Sequence, residues 1–88
     1  MIKKANSKTE YEYCIENVES IDVFDAQCKM LEQGLLDLQK DELFIADDGA
    51  PTQYYTYRGM EIFVLYDTGL GEIYVHSPID IHEHILKP

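Results

Sequence analysis

The stretch from residue 62 to residue 66 constrains the fold most, because it is apolar on both faces of any strand that it forms. In an extended chain Ile62 and Val64 point to one side, while Phe63 and Leu65 point to the other. Such a strand needs neighbours on its edges and cover on more than one side. The sequence therefore predicts that residues 60–66 form a central strand of a sheet.

Two further stretches rich in Tyr, Ile, Val and Thr, residues 53–57 and 72–76, flank this strand at hairpin distances. Short segments that contain glycine separate the three strands, as turns of a hairpin require. Residues 43–46 are a candidate for a fourth strand, which would end at the dense cluster of turn formers over residues 47–51. We expect a three- to four-stranded antiparallel meander.

The N-terminal segment is predicted to be helical, with a strand as the alternative. Ser7 and Glu10 have the spacing of a capping box, in which each side chain satisfies a backbone N–H at the start of a helix. Apolar residues then follow at spacings of three and four as far as Val18, which is typical of one helical face. The alternation of glutamate with apolar residues over positions 10–16 also suits a strand. We favour a helix over residues 10–19 because the cap and the apolar face agree.

Two more helices complete the prediction. Residues 22–39 carry apolar side chains at spacings of three and four, with Gly34 as the weak point, since Gly in a helix interior costs ~1 kcal/mol relative to Ala. Ser77 as a cap and Pro78 in the first turn predict a short C-terminal helix. The 88 residues therefore predict a single small α+β domain over residues 1–88, with two N-terminal helices, a three- to four-stranded antiparallel β-meander and a short C-terminal helix.

Composition predicts a folded, cytoplasmic protein with no membrane segment. Hydrophobic residues make up 45% of the chain, which is enough to build a core. The longest apolar run covers residues 62–66, far short of the ~20 residues of a membrane span, and the N-terminus lacks the apolar stretch of a signal peptide. The two cysteines, Cys14 and Cys28, suit buried thiols in a reducing compartment better than a disulfide framework.

Catalytic and metal-binding chemistry find little support in the sequence. Asp80 and His84, four residues apart, could share a helical face, but the histidines lack the close paired spacing of a zinc site. Asp47, Asp48 and Asp67 fall in turns, where Asp commonly acts as a turn former. The chain contains no phosphate loop, dinucleotide fingerprint or nucleophile motif. We expect no catalytic residue, no metal, no cofactor and no enzymatic activity.

The most distinctive feature of the surface is an acidic strip with no Lys or Arg within it, in a chain of net charge -10. Such a strip attracts a positively charged partner at long range, although a solvated face that maintains solubility is the common alternative. Arg58 is the sole arginine, which argues against direct binding of nucleic acid. The candidate partner-binding residues of the acidic strip are Glu10, Glu12, Glu16, Glu19, Asp22 and Asp25.

We therefore expect a small acidic binding protein that inhibits or sequesters a basic, nucleic-acid-handling protein by charge mimicry. In size and charge, though in no motif, it is similar to immunity proteins, anti-restriction proteins and phage-encoded inhibitors of CRISPR complexes. The alternative is an accessory module that docks, or forms a homodimer, through a tyrosine-rich hairpin with Tyr54 and Tyr57 as partner-binding residues. Tyrosine is enriched at interfaces, but it is also a good strand former that simply fills a sheet.

Overall fold

The computed structural model describes the backbone of residues 2–4 and all of residues 10–86. Within these residues one α-helix accompanies a six-stranded antiparallel sheet, and a 3₁₀ helix follows the last strand. No helix of the described part has the length and hydrophobicity of a membrane span. The elements in chain order are β1 (Ile2–Lys4), β2 (Tyr11–Ile15), α1 (Ile21–Gly34), β3 (Leu38–Ile45), β4 (Pro51–Tyr57), β5 (Met60–Asp67), β6 (Glu72–Ser77) and the 3₁₀ helix (His82–His84).

The strands lie in the order β1-β2-β6-β5-β4-β3. Helix α1 carries the chain from β2, near one edge of the sheet, to β3 at the opposite edge. The strands β3 to β6 then return as a meander until β6 pairs with β2. The prediction that residues 60–66 form a central strand is confirmed, since β5 has a neighbour on each edge. The expected cover on more than one side is not found in the described structure, where Phe63 and Leu65 are half-buried on the uncovered face.

The core lies between α1 and one face of the sheet, because side chains alternate between the two faces of each strand. Helix α1 buries Phe24, Gln27, Cys28 and Leu31 at helical spacing, as its apolar pattern predicts. The opposite face of the sheet carries no covering element in the described structure and is half-buried at its centre. The buried apolar residues that the sheet contributes are Tyr13, Ile15, Tyr55, Ile62, Val64, Tyr66, Ile73 and Val75.

The predicted arrangement of two N-terminal helices and a three- to four-stranded sheet is wrong. The segment expected to be the first helix, residues 10–19, contains strand β2, while residues 7–9 of the proposed cap lie outside the described residues. Alternation buries Tyr13 and Ile15 and turns Glu12 to the other face. A strand forms here because pairing with β6 satisfies backbone groups along both strands. A helix at this position would leave the backbone groups on that edge of β6 without a partner.

The predicted C-terminal helix is also wrong, since a 3₁₀ helix of 3 residues is what forms after β6. Ser77 does accept a hydrogen bond from the Ile79 N–H at 3.1 Å, so the local cap is present. The Ile81 N–H, however, donates to the buried Tyr13 hydroxyl at 2.8 Å. A contact with a strand distant in sequence therefore satisfies a backbone donor that would otherwise favour a helical turn.

Candidate interaction surfaces

The structure divides the acidic strip between the sheet and the helix. Glu10 and Glu12 are half-buried on the uncovered face of the sheet, where Glu10 Oε1 lies 3.3 Å from His76 Nε2. The four glutamates of residues 10–19 therefore do not lie along one helix, as the predicted first helix would have placed them. The remaining carboxylates are exposed on the loop after β2 and on α1, and they are Glu16, Glu19, Asp22 and Asp25.

The two tyrosines predicted to bind a partner fall on opposite faces of β4. Tyr54 is half-buried on the uncovered face, with its ring centroid 6.0 Å from that of Phe63. Tyr57 lies on the face that α1 covers, and the Arg58 guanidinium stands 5.1 Å from the centre of its ring. The fold therefore does not bring these two tyrosines into one surface.

Aromatic side chains form a row across the uncovered face. Tyr54 lies opposite Phe63, and Phe63 lies opposite His76, with 5.0 Å between the stacked Phe63 and His76 rings. Leu65 and Tyr74 form the next row. The β4–β5 hairpin that carries part of this surface has no free edge, because β3 pairs with β4 and β6 pairs with β5. Pairing with another chain through that hairpin is therefore blocked by its own neighbours.

Within the part of the chain that the structure describes, β3 pairs only with β4, so its outer edge is free, and this strand carries exposed apolar side chains. Leu43, Phe44 and Ile45 are 51%, 55% and 53% exposed. Sequence reasoning placed these residues in a short strand but did not identify the edge. The available signal was three consecutive large apolar residues between two acidic pairs. Those acidic pairs are Asp41 with Glu42 and Asp47 with Asp48.

A buried amide shapes this edge strand. The register of β3 against β4 shifts between Lys40 and Leu43, which marks a bulge. The Gln53 side chain is buried beside the bulge, and its Nε2 donates to Asp41 O at 2.9 Å and to Glu42 O at 3.2 Å. One side chain of β4 thus satisfies backbone carbonyls that the bulge removes from the ladder, and the apolar end of β3 continues beyond it.

A groove of about 600 Å³ opens between the end of β2, the following loop, α1 and the C-terminal segment. The loop is held by the Val18 N–H, which donates to Gly71 O at 2.8 Å. Gly71 has φ +66 and lies so close to Val18 O that a side chain would crowd it. The groove is lined by Ile15, Val18, Val23, Ala26 and Leu86, with Glu16, Asn17 and Asp22 as its polar residues.

A polar network ties the C-terminal segment to the core. Asp80 Oδ1 accepts hydrogen bonds from the Tyr13 hydroxyl at 2.8 Å and from the His82 N–H at 3.1 Å. Burial raises the pKa of Tyr13 to about 12, and the Tyr13 hydroxyl lowers the pKa of Asp80 by favouring its charged form. His82 Nδ1 lies 3.0 Å from the same oxygen. These contacts hold the C-terminal segment against β2 and have a structural role.

The buried thiol near the centre of α1 is not set up as a nucleophile. Burial raises the pKa of Cys28 above its usual value, so the thiol stays protonated at neutral pH. The adjacent Tyr55 hydroxyl donates to Glu32 Oε2 at 2.6 Å, and Lys40 Nζ lies 3.5 Å from the same oxygen. Burial also raises the pKa of Tyr55. This cluster therefore joins α1 to β3 and β4 without an activated group.

The described residues contain no group of three or more His, Cys, Asp and Glu side chains that could hold a metal ion. They do present three surfaces, namely the apolar edge of β3, the aromatic uncovered face and the groove with its acidic residues. Comparisons with protein-family models, with curated proteins and with solved structures gave no match to this chain. Exposure and charge of these surfaces are therefore the observations from which a function can be proposed.

Proposed function

We propose that this chain is a non-enzymatic binding protein that captures a basic partner protein by adding a strand of the partner to the free edge of β3. The observation that carries the proposal is the half exposure of three consecutive large apolar side chains, Leu43, Phe44 and Ile45, on an edge strand. Because side chains alternate along a strand, Leu43 and Ile45 lie on one face of β3 and Phe44 lies on the other. The edge therefore exposes apolar side chains on both of its faces, and an edge strand offers unpaired backbone groups to an added strand.

The backbone of β3 supports strand addition at this position. The Ala46 N–H donates to Ala50 O at 2.9 Å, so residues 46 and 50 form a hydrogen-bonded pair at the end of the hairpin. Because hydrogen-bonded and non-hydrogen-bonded pairs alternate in an antiparallel ladder, the backbone groups of Leu43 and Ile45 point away from β4. They face the side where a partner strand would pair.

The charge around the edge favours a basic partner. Two acidic pairs, at positions 41–42 and 47–48, bracket the apolar residues, and the whole chain has a net charge of -10. A partner strand with apolar residues between Lys or Arg would match this pattern, whereas a second copy of the chain would repeat the same charge. The cytoplasm is the setting we propose, because the buried Cys28 thiol, whose pKa burial raises, suits a reducing compartment.

The test is capture of a partner from a lysate of the source cell, with variants of the edge. Phe44→Lys removes apolar surface, and Ile45→Pro removes an N–H on the free side while leaving the ladder with β4 intact. Leu36→Lys is the matched control, because Leu36 is also apolar and 95% exposed but lies outside the edge.

We expect a basic protein to bind the parent chain and the Leu36→Lys control, and to be lost with both edge variants. Far-ultraviolet circular dichroism and thermal unfolding check that each variant is folded. A basic protein that the edge variants retain as strongly as the control would contradict the docking strand. Recovery of acidic proteins alone would contradict the proposed partner.

Charge mimicry by the acidic strip is the second candidate function. Glu16, Glu19, Asp22 and Asp25 are exposed, and the ion pairs formed within residues 10–86 involve none of them. This favours inhibition or sequestration of a nucleic-acid-handling protein, of the immunity, anti-restriction or anti-CRISPR type.

Reversal of Glu16, Glu19 and Asp25 to Lys tests this second candidate, since exposed charges contribute little to stability. If charge mimicry is the main interaction, the reversal abolishes capture and Phe44→Lys leaves it intact. If β3 is the docking strand, the opposite holds, and the reversal slows association without preventing it.

A further inference from the structure

We infer that the groove between β2 and α1 binds an extended, basic segment of the partner, with an aliphatic side chain inserted in the groove and a neighbouring Lys or Arg against Glu16 and Asp22. The inference rests on the proposed function in one respect, which is the basic character of the partner. It names a second contact on that partner, separate from the edge of β3.

The size and lining of the groove suit an aliphatic side chain. Its volume of about 600 Å³ lies within the range of ~300 to 1,000 Å³ that is typical of ligand sites. Ile15 and Val18 are buried at its base, and Val23 and Leu86 are half-buried walls. Ala26 is exposed on α1, and its short side chain leaves the groove open.

The walls are fixed before any ligand arrives. Ile15 lies opposite Ile73 in the β2–β6 ladder, which holds one side. Asn17, at φ 59, occupies the left-handed region that Asn tolerates, and it turns the chain from β2 towards α1. Ser20 caps α1 by accepting a hydrogen bond from the Asp22 N–H at 3.1 Å. A groove held in this way loses little conformational entropy on binding.

Charge selects the kind of segment that fits. Glu16 and Asp22 line the groove and are exposed, so a Lys or Arg can approach them without burying either carboxylate. Each exposed ion pair strengthens binding by ~1.4- to 5-fold, and two such pairs are enough to discriminate between segments of opposite charge. An acidic segment would be repelled by the same two carboxylates and by the net charge of -10.

Peptide titrations followed by amide chemical shifts test the inference directly. The probes are acetyl-Arg-Leu-Arg-amide, acetyl-Gly-Leu-Gly-amide, acetyl-Glu-Leu-Glu-amide and acetyl-Arg-Gly-Arg-amide. We expect the first peptide to give saturable shifts at Val18, Val23 and Ala26. Each of the other peptides should bind at least about fivefold more weakly, because it lacks either the two exposed ion pairs or the aliphatic side chain. Equal binding of the neutral Gly-Leu-Gly peptide would overturn the inference, as would shifts confined to other parts of the surface.

Two variants locate the site. Ala26→Trp fills the groove from an exposed helical position and should abolish the saturable shifts, and the amide spectrum itself shows whether this variant is folded. The double variant Glu16→Gln with Asp22→Asn should weaken binding of the basic peptide about fivefold to tenfold. Glu19→Gln is the matched control, because Glu19 is exposed on the same loop but does not line the groove.

The inference would be overturned if acetyl-Arg-Leu-Arg-amide bound the Ala26→Trp variant and the double variant Glu16→Gln with Asp22→Asn as strongly as it binds the parent chain. Phe44→Lys separates this result from the proposed function, because it disables the edge of β3 and should leave peptide binding unchanged. Peptide binding without any basic partner captured by β3 would count against the proposed function alone. Partner capture without peptide binding would count against the groove alone.

Discussion

The side-chain amide of Gln27 holds the backbone of Leu86, whose N–H donates to Gln27 Oε1 at 2.8 Å. The same amide donates from Nε2 to His84 O at 2.8 Å. Gln27 is fully buried on α1, and the C-terminal segment supplies a hydrogen-bond partner to each polar atom of its side chain. The amide thereby fixes the segment against the helix, and Leu86 becomes a wall of the groove.

Replacing Gln27 should therefore destabilise the fold and loosen the C-terminal segment. We expect Gln27→Ala to lower the free energy of unfolding by ~1–3 kcal/mol, because backbone groups of His84 and Leu86 lose their buried partner. Gln33→Ala, an exposed glutamine on the same helix, should change it by less than about 0.5 kcal/mol. Urea unfolding measures both. Equal effects of the two substitutions would contradict the role of the buried amide.

Gly34 should be coupled to His84. A Cβ added at Gly34 would collide with the His84 ring, so the glycine allows the C-terminal segment to pack against the end of α1. In the parent chain we expect Gly34→Ala to be neutral or destabilising. In a His84→Ala background the same change should stabilise by up to ~1 kcal/mol, since Ala is the better helix former. A double-mutant cycle in urea tests this, and additive effects would contradict it.

Alkaline pH should destabilise the protein through Tyr13. Its pKa rises from 10.0 to about 12 in the fold, chiefly through burial, so the unfolded chain ionises at a lower pH than the folded one. The stability linked to this residue is complete below pH 10 and is lost as pH rises towards 12. Tyr13→Phe should reduce the dependence of unfolding free energy on pH in this interval, and the remaining dependence is that of the other groups with raised pKa values. Those groups are Tyr55, Tyr74, Cys14 and Cys28. An unchanged slope would contradict the raised pKa.

Self-association, if it occurs, should use the edge of β3 and should strengthen with salt. Two copies of net charge -10 repel each other, and salt at about 1 M shortens the screening length to ~3 Å. We expect light scattering to show more dimer at high salt. The dimer should be lost in the Phe44→Lys variant and retained in the Glu16→Lys variant. Binding to a basic partner should show the opposite salt dependence. A dimer that needs Glu16 would contradict this assignment.

Some elements were predictable because their signals are local. The apolar spacing around Cys28 and Leu31 predicts helix α1, and the predicted range of residues 22–39 overlaps Ile21–Gly34 in the structure. The helix ends earlier than predicted, at Gly34, which is the residue that the sequence marks as the weak point of the range. The next residue, Leu35, is extended, and its N–H still donates to Leu31 O. The apolar run of β5 likewise predicts a central strand, and β5 pairs on both of its edges, although α1 covers only one of its faces.

The acidic composition and the apolar run at residues 43–45 are properties of the sequence, but their meaning depends on neighbours distant in the chain. Residues 11–15 satisfy both a helical and an extended pattern, of which the sequence favoured the helix, and pairing with β6 selects the strand. The same pairing divides the acidic strip, and the order of strands leaves β3, not the tyrosine-rich hairpin, at the edge. Side-chain periodicity is set locally, whereas backbone hydrogen bonds between strands form only after distant segments meet. The sequence by itself therefore determined the charge, the helix and the central strand, and the tertiary structure decided which surfaces are open to a partner.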